Sequence, residues 1–188
     1  MDLITFSRQG NTNGVKEEIV KPGANINLQD DKGNTALLWA SYYGYTEIVK
    51  ILIEAGANTD LQNNNGFTAL IWASNNRHIE IVKLLIGAGT SVNLLNNCGC
   101  TALIDASYYG HIEVVKLLIK AGADVDLQNK CGNTALIRAS KNGHTKIVKL
   151  LENIPILLAI CSCDVRKSSK ISKLPTDLYK ILKSFLMT

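Results

Sequence analysis

The chain has 188 residues, a hydrophobic content of 46% and a formal net charge of +4. This hydrophobic content is typical of a folded protein and excludes a disordered one, while no apolar run reaches the roughly 18 residues of a membrane helix. The first residues lack a secretory signal, and five cysteines, an odd number, favour free thiols in a reducing compartment. We therefore expect an intracellular, cytoplasmic protein.

The excess positive charge lies entirely near the end of the chain. Residues 1–152 carry 14 Lys and Arg and 14 Asp and Glu, whereas residues 153–188 carry six cations and two acids. Electrostatic capture of nucleic acid needs a basic stripe along the fold itself. We therefore predict no nucleic-acid partner, and no membrane partner.

A five-residue phrase, Gly-x-Thr-Ala-Leu, recurs four times at a constant spacing of 33 residues. It begins at Gly33, Gly66, Gly99 and Gly132. A fixed period of this length predicts a solenoid, in which each unit buries its apolar face against its neighbours only. An open stack of this kind has a long exposed face and no deep pocket, which favours binding over catalysis.

The period divides the chain into units. Residues 1–32 are a degenerate copy and predict an N-terminal capping repeat. The later segments are 33–65, 66–98, 99–131, a truncated unit at 132–152, and a basic C-terminal segment at 153–188.

The residues of the unit 66–98 indicate the secondary structure of each repeat. Thr68 is placed to cap a first helix through its hydroxyl, and the apolar residues between Ile79 and Ile86 predict a second helix with a broad buried face. Gly89 ends that helix, and an Asn- and Gly-rich turn follows. Each unit is therefore expected to be two short antiparallel helices and a turn.

The unit that begins at Gly132 shows most of the residues that recur in each copy. It reads Gly132-Asn133-Thr134-Ala135-Leu136, Ala139-Ser140, Gly143-His144 and Ile147-Val148-Lys149-Leu150-Leu151. This resembles the ankyrin repeat, with alanine in place of the family's proline and leucine or isoleucine in place of its histidine. The resemblance covers residues 1 to about 152. It implies an all-α solenoid of helix–turn–helix layers with short β-turn fingers, and a non-catalytic scaffold.

Histidines and cysteines are the candidate metal ligands. His78, His111 and His144 hold equivalent positions in successive layers, which lie about 8–10 Å apart, whereas zinc holds each nitrogen at about 2 Å. Cys98 and Cys100, like Cys161 and Cys163, have C-x-C spacing rather than the C-x₂₋₄-C of compact zinc sites. No catalytic set can be assembled from the remaining residues, so we predict no enzyme activity, no metal site and no cofactor.

The resemblance also implies where a partner binds: the turn tips and the exposed edge of each first helix, on the concave face. The residues predicted to contact a partner are Tyr42, Tyr43, Asn75, Asn76, Tyr108, Tyr109, Lys141 and Asn142 on the helix edge, and Asn34, Phe67, Cys100 and Asn133 at the tips. Tyrosine combines a large contact area with a polar end, which is typical of interaction hot spots. The alternative is that the paired tyrosines only shield the helix ends.

Two positions depart from the repeat. Arg77 stands where the other units have Gly44, Gly110 and Gly143. If that site keeps a positive φ, a non-glycine residue costs about 1 kcal/mol, and otherwise the turn relaxes. Asp105 and Arg138 occupy equivalent positions in successive layers, which predicts an exposed ion pair of little energetic consequence.

Residues 153–188 depart from the 33-residue period. Leu157, Cys161 and Val165 share one helical stripe, and Pro175, Leu178 and Leu182 belong to a later apolar segment. This pattern is similar to a SOCS box, which implies recruitment of elongin and a cullin ubiquitin ligase. A truncated F-box fits part of the same segment, and so does an amphipathic helix that caps the last repeat.

Two functions follow from these observations. The first is a monomeric scaffold that binds one protein partner, and the alternative is a substrate-recruiting adaptor of a cullin-type ubiquitin ligase. Near-identical, asparagine-rich ankyrin repeats resemble those of large DNA viruses and intracellular bacteria. This resemblance adds the hypothesis of an effector that acts in a host cytoplasm.

Overall fold

The computed structural model describes the backbone of residues 2–162 and the side chains of residues 2–153. Within these residues the chain forms helices and no strand. The helices are α1 (Leu3–Gln9), α2 (Thr12–Ile19), α3 (Ala36–Tyr43), α4 (Thr46–Glu54), α5 (Ala69–Asn75), α6 (Ile79–Gly87), α7 (Ala102–Tyr108), α8 (Ile112–Lys120), α9 (Ala135–Lys141) and α10 (Thr145–Ser162). The predicted all-α repeat solenoid is confirmed.

The helices stack in two parallel rows. The odd-numbered helices, here called the inner row, pack each on the next from α1 to α9, and the even-numbered helices form an outer row from α2 to α10. Each odd-numbered helix also packs on the even-numbered helix that follows it. Contacts therefore run between adjacent layers, as a solenoid requires.

Threonine hydroxyls fix where four inner helices begin. Thr68 Oγ1 accepts a hydrogen bond from the Ile71 N–H at 3.2 Å, which confirms the predicted cap. The same bond recurs in three other layers, at Thr35, Thr101 and Thr134. Loss of one such cap typically costs about 1 kcal/mol, so the repeated threonine sets both the position and part of the stability of each layer.

The core contains small residues in the inner row and larger, branched residues in the outer row. Alanines such as Ala36, Ala40 and Ala69 are fully buried in the inner row, where their small side chains let neighbouring helices approach closely. Leucines and isoleucines of the outer row, such as Leu52 and Ile81, are equally buried and fill the space between the rows. The apolar core is thus continuous along the stack.

Asparagine and glutamine side chains join the turns of successive layers. Asn97 Nδ2 donates to the Asn64 carbonyl at 2.9 Å, and Asn64 Nδ2 donates to the Asp31 carbonyl at 3.0 Å. Gln62 Nε2 donates both to the Gly66 carbonyl of its own turn and to the Leu95 carbonyl of the next. The asparagine-rich turns are therefore structural links between repeats.

Helix α10 continues past the end of the 33-residue pattern. It runs without interruption from Thr145 to Ser162, through Glu152, where the sequence pattern ends. Its described backbone includes Leu157 and Cys161, in agreement with the predicted helical stripe, whereas Val165 lies outside the described residues. The domain boundary at residue 152 stays a prediction. No helix in the described part of the chain has both the length and the apolar character needed to span a bilayer.

Candidate functional site

The four predicted tyrosines lie at the C-terminal ends of two inner helices. Tyr42 and Tyr43 end α3 and are 37% and 46% exposed, while Tyr108 and Tyr109 lie at the end of α7 and are 37% and 50% exposed. These are four of the most exposed large hydrophobic side chains in the described residues. Such exposure leaves their rings available to a ligand.

The first pair belongs to a continuous aromatic patch that crosses two layers. We define this patch as Trp39, Tyr42, Tyr43, Tyr45, Phe67 and Trp72. Trp39 stacks on Tyr43 at 5.9 Å between ring centroids, and Tyr42 meets Trp72 edge-on at 4.9 Å. Trp72 in turn stacks on Phe67 at 4.1 Å. Each ring therefore holds its neighbour, which gives a rigid aromatic surface.

The patch borders a cavity of about 330 Å³ between the inner helices and the turns. The cavity is lined by Lys32, Asn34, Leu38, Trp39, Tyr42, Tyr43, Asn63, Asn65 and Trp72. Its lining combines aromatic rings with polar residues of the turns. A groove of this composition offers both apolar contact area and hydrogen-bonding groups to a ligand.

An aspartate holds Trp39 in place. Asp30 Oδ2 accepts a hydrogen bond from Trp39 Nε1 at 2.9 Å. Burial opposes ionisation of Asp30, but hydrogen bonds from the Asn34 N–H, the Trp39 indole and the Lys32 N–H outweigh it and lower the pKa of this carboxyl. The Arg8 guanidinium carbon lies 5.9 Å from the centroid of the Trp39 ring, so α1 also contributes to the patch.

The two tryptophans were absent from the predicted contact set. The available signal was their equivalence, since Trp39 and Trp72 lie 33 residues apart in the same repeat position. That position holds Asp105 and Arg138 in the next two layers. Because Asp105 and Arg138 carry opposite charges, the sequence predicted an ion pair at this repeat position. It did not indicate the aromatic surface to which Trp39 and Trp72 belong.

The predicted ion pair between Asp105 and Arg138 does not form. The salt bridges within the described residues do not include this pair, and the Arg138 guanidinium carbon lies 4.9 Å from the centroid of the Tyr108 ring instead. Burial raises the pKa of Asp105 to about 6, although the Cys100 side chain and the charge of Arg138 both act to lower it. The last described layers therefore present a cation on an aromatic ring beside a half-buried carboxyl.

Three of the predicted tip residues are buried. Asn34, Cys100 and Asn133 are 7%, 5% and 8% exposed, because side chains from the following turn or helix reach them. Asn34 Oδ1 accepts from Asn63 Nδ2 at 2.8 Å, and Asn133 Oδ1 accepts from Lys141 Nζ at 2.8 Å. These three side chains offer little surface to a partner. Phe67, the fourth tip residue, is half-buried against Trp72.

The asparagines predicted on the helix edge form hydrogen bonds at the C-terminal ends of the inner helices. Asn76 Nδ2 donates to the Trp72 carbonyl at 2.9 Å, and Asn142 Nδ2 donates to the Arg138 carbonyl at 2.8 Å. Asn75 is half-buried, and its carbonyl oxygen lies 3.0 Å from His111 Nε2. Asn76, Lys141 and Asn142 are exposed and remain available for contact.

Each histidine has its own backbone partner in the preceding layer. His78 Nε2 lies 3.1 Å from the backbone carbonyl oxygen of Tyr42, and His144 Nε2 lies 2.9 Å from the backbone carbonyl oxygen of Tyr108. Together with His111 they tie successive layers together, which agrees with the structural role expected from their spacing. In the described residues no group of three or more His, Cys, Asp or Glu side chains is placed to hold a metal ion.

Arg77 keeps the glycine-like backbone of its repeat position. Its φ is 60°, and no other non-glycine residue in the described part of the chain has a positive φ. The equivalent Gly44, Gly110 and Gly143 have φ values of 85°, 78° and 72°. Of the two predicted outcomes, the strained turn is the one that occurs.

Comparison with known families agrees with this geometry. A family model described as ankyrin repeats, in three copies, matches residues 3–96 and again residues 76–159. The two matched ranges together span most of the 188 residues. No curated protein matches the sequence.

Proposed function

The chain belongs to the ankyrin repeat family, whose repeats indicate a protein–protein interaction scaffold, and from this premise we propose that it binds one protein partner on the concave face of its stack. In this proposal the concave face is the exposed side of the inner row, with the aromatic patch at its centre and Tyr108 and Tyr109 beyond it. The scaffold acts by binding rather than by catalysis.

The observation that supports this surface is the concentration of exposed aromatic rings on one side of the stack. Tyr42, Tyr43, Tyr108 and Tyr109 are each more than a third exposed, and two half-buried tryptophans extend the first pair. Aromatic side chains are enriched at the energetic centres of protein interfaces. The neighbouring cavity is also lined by polar turn residues, which offer hydrogen-bonding groups to a partner.

A site-specific crosslinking experiment tests this surface. A photoreactive amino acid is introduced at Tyr43 or Tyr109 of the full chain, with Lys83 of the outer row as the matched exposed control, and each protein is irradiated in a lysate of its source cells. Partner adducts are expected from positions 43 and 109 and not from position 83. Adducts from position 83 alone would place the interface on the outer row and overturn the proposal.

The adaptor hypothesis depends on the sequence pattern of the C-terminal segment. Leu157 and Cys161 belong to α10, whose side chains beyond residue 153 are not described, and Val165, Pro175, Leu178 and Leu182 lie outside the described residues. A pull-down with the wild type and a Leu157→Asp/Cys161→Asp variant, probed for elongin and cullin, tests it. Absence of both components from the wild-type sample would leave the scaffold function alone.

A further inference from the structure

Arg77 stands at a position whose geometry favours glycine. Every other left-handed backbone position in the described residues is a glycine. At the equivalent Gly44 and Gly110, a Cβ atom would also lie 2.6 Å from the histidine ring of the next layer. Asparagine is the common residue other than glycine that adopts a left-handed conformation most readily, and the turns of this chain are rich in it. A reason for arginine here therefore has to come from its guanidinium group.

The guanidinium group of Arg77 has no partner among the described residues. Its side chain is exposed, and it forms no hydrogen bond, salt bridge or contact with an aromatic ring there. By contrast, Arg8 and Arg138 each lie over a ring, that of Trp39 and that of Tyr108 respectively. Strained backbone conformations cluster at functional sites. Since no contact within the described chain offsets the strain at position 77, the compensating contact is expected from a ligand.

Arg77 lies on the edge that the proposed function assigns to a partner. In three successive repeats this edge consists of residues 42–44, 75–77 and 108–110, and Arg77 is the one cation among them. The preceding repeat presents Tyr43 and the following repeat presents Tyr109, each one residue before the position equivalent to Arg77, and both are exposed. Along the stack, an exposed cation thus comes between two exposed phenol rings.

The charge of Arg77 also acts on the next layer. Burial lowers the pKa of His111 and the charge of Arg77 lowers it further, whereas the hydrogen bond with the Asn75 carbonyl raises it. The His111 ring in turn stacks on Tyr109, with 5.9 Å between the ring centroids. Because a lowered pKa keeps the imidazole neutral at pH 7, His111 adds no second positive charge beside Arg77.

The carboxylates at the start of the adjoining outer helices are already paired. Glu47, Glu80 and Glu113 hold equivalent positions in the first turns of α4, α6 and α8. Each forms a salt bridge with a lysine, and in the repeat of Arg77 the distance between Lys83 Nζ and Glu80 Oε1 is 2.7 Å. The counter-charge that complements Arg77 is therefore expected to belong to a ligand.

A single exposed guanidinium suits a carboxylate better than a phosphate. A carboxylate carries one negative charge and accepts two parallel hydrogen bonds from a guanidinium. A phosphate group carries nearly two negative charges at pH 7 and is usually bound by a cluster of arginines, whereas residues 75–77 and the neighbouring edge residues supply one cation.

We propose that the partner places the carboxylate of an Asp or Glu side chain on Arg77, with apolar groups on either side of it that pack on Tyr43 and Tyr109. The proposal rests on the proposed function and specifies the chemistry of the contact between the two tyrosine pairs. The charge gives this contact its specificity, and the rings supply apolar contact area.

Peptide selection against an unstrained variant tests the proposal. Short random peptides displayed on phage are selected on the full-length protein and counter-selected on Arg77→Gly, which is expected to fold at least as stably because glycine tolerates the positive φ. We expect the enriched peptides to carry Asp or Glu next to an aromatic or aliphatic residue. Enrichment of peptides without an acid, or no enrichment above the counter-selected background, would overturn the proposal.

Calorimetry with a synthetic enriched peptide measures the pairing directly. Replacement of its acidic residue by the corresponding amide is expected to weaken Kd roughly tenfold with the wild type and less than about twofold with Arg77→Gly. Lys50→Ala removes an exposed cation of the outer row and should leave Kd unchanged. Equal losses with the wild type and Arg77→Gly would show that the acid does not contact Arg77.

A second variant separates the charge from the backbone. Arg77→Gln removes the charge and keeps a side chain at the left-handed position, so it should weaken binding of the acidic peptide as much as Arg77→Gly does. Unchanged affinity in Arg77→Gln would assign the effect to the turn conformation and contradict the proposal.

The two proposals fail in different ways. If crosslinks to a partner form at positions 43 and 109 with the same yield in the presence of Arg77→Gly, the interaction surface stands and the carboxylate contact is excluded. If the outer row alone crosslinks, the surface itself is wrong.

Discussion

The Nε2 atom of His78 lies 3.1 Å from the carbonyl oxygen of Tyr42, one layer earlier in the stack. The ring reaches that oxygen by passing over Gly44: a Cβ atom at position 44 would lie 2.6 Å from Cε1 of His78. Gly110 stands in the same relation to His144. Glycine at positions 44 and 110 therefore allows a positive φ and leaves space for the next layer's histidine, although His111 still lies 3.0 Å from the Asn75 carbonyl in the layer that has Arg77 at this position.

Replacing Arg77 by glycine is expected to stabilise the protein. Arg77 has a φ of 60°, a conformation that costs a non-glycine residue about 1 kcal/mol. Arg77→Gly should therefore raise the free energy of unfolding by about 1 kcal/mol, as measured by urea denaturation. Gly44→Ala is the matched control and should lower it, since the new methyl group would meet the His78 ring. A loss of stability in Arg77→Gly would show that the turn is not strained.

Much of this fold can be predicted from the repeat itself. The constant spacing of Gly33, Gly66 and Gly99 indicates a solenoid, and the threonine two residues after each glycine marks where an inner helix begins. The length of α10 could not be predicted in this way. The 33-residue pattern ends at Glu152, whereas helix formation beyond it depends on local propensity and packing rather than on the repeat.

A column of buried serines is expected to limit the stability of the stack. Ser7, Ser41, Ser74 and Ser107 hold equivalent positions in four inner helices, and each hydroxyl oxygen is buried without a hydrogen-bond partner. A buried, unsatisfied polar group costs about 1–3 kcal/mol. Ser74→Ala should therefore raise the free energy of unfolding by at least about 1 kcal/mol.

The last inner helix provides the control for this substitution. Ser140 holds the same position in α9 but is exposed, so Ser140→Ala should change stability only by the small difference in helix propensity. Both variants are compared by thermal and urea denaturation. Equal effects at positions 74 and 140 would show that the burial of the hydroxyl is not the cause.

A break in the glutamine links between turns gives a third prediction. Gln29 and Gln62 each donate to the carbonyl four residues later and to a carbonyl of the next turn, whereas the next equivalent position is Leu95, which is 43% exposed. Leu95→Gln is expected to form the corresponding bonds to the carbonyls of Gly99 and Gln128. At about 1 kcal/mol per net hydrogen bond, the unfolding free energy should rise by 1–2 kcal/mol. The reverse change, Gln62→Leu, should lower it by a similar amount, and no change in either variant would exclude this role.

The candidate site was predicted less completely than the fold. The tyrosine pairs could be identified because the resemblance to the ankyrin repeat places the two residues before each helix-ending glycine on the exposed edge of the first helix. Burial of Asn34 could not be identified, because it depends on which neighbouring side chain reaches it, here Asn63 from the next turn. Trp39 and Trp72 were missed for a related reason: a repeat position shows where a residue lies along the chain and not which rings it contacts.

Because of Asp105, the free energy of unfolding is expected to decrease as pH rises. Its pKa is about 6 in the folded protein against 3.8 in the unfolded chain, because burial disfavours the charged form. The folded state therefore binds more protons than the unfolded state between about pH 4 and pH 6, and the free energy of unfolding decreases through that interval. At neutral pH the ionised carboxyl costs about 3 kcal/mol, from about two pKa units.

Asp105→Asn should therefore raise the unfolding free energy by up to about 3 kcal/mol at pH 8 and by about half as much at pH 5. Asp30→Asn is the control of opposite sign. Hydrogen bonds lower the pKa of Asp30 in the folded protein. The stabilisation that its carboxylate provides is therefore fully present above the pKa of the unfolded chain and is lost as pH falls. That variant should be destabilised at pH 8, with a smaller deficit as pH falls below 4. Urea denaturation of both variants across this range measures the difference. A gain for Asp105→Asn that is independent of pH would show that the carboxyl titrates alike in both states and that its burial carries no electrostatic cost.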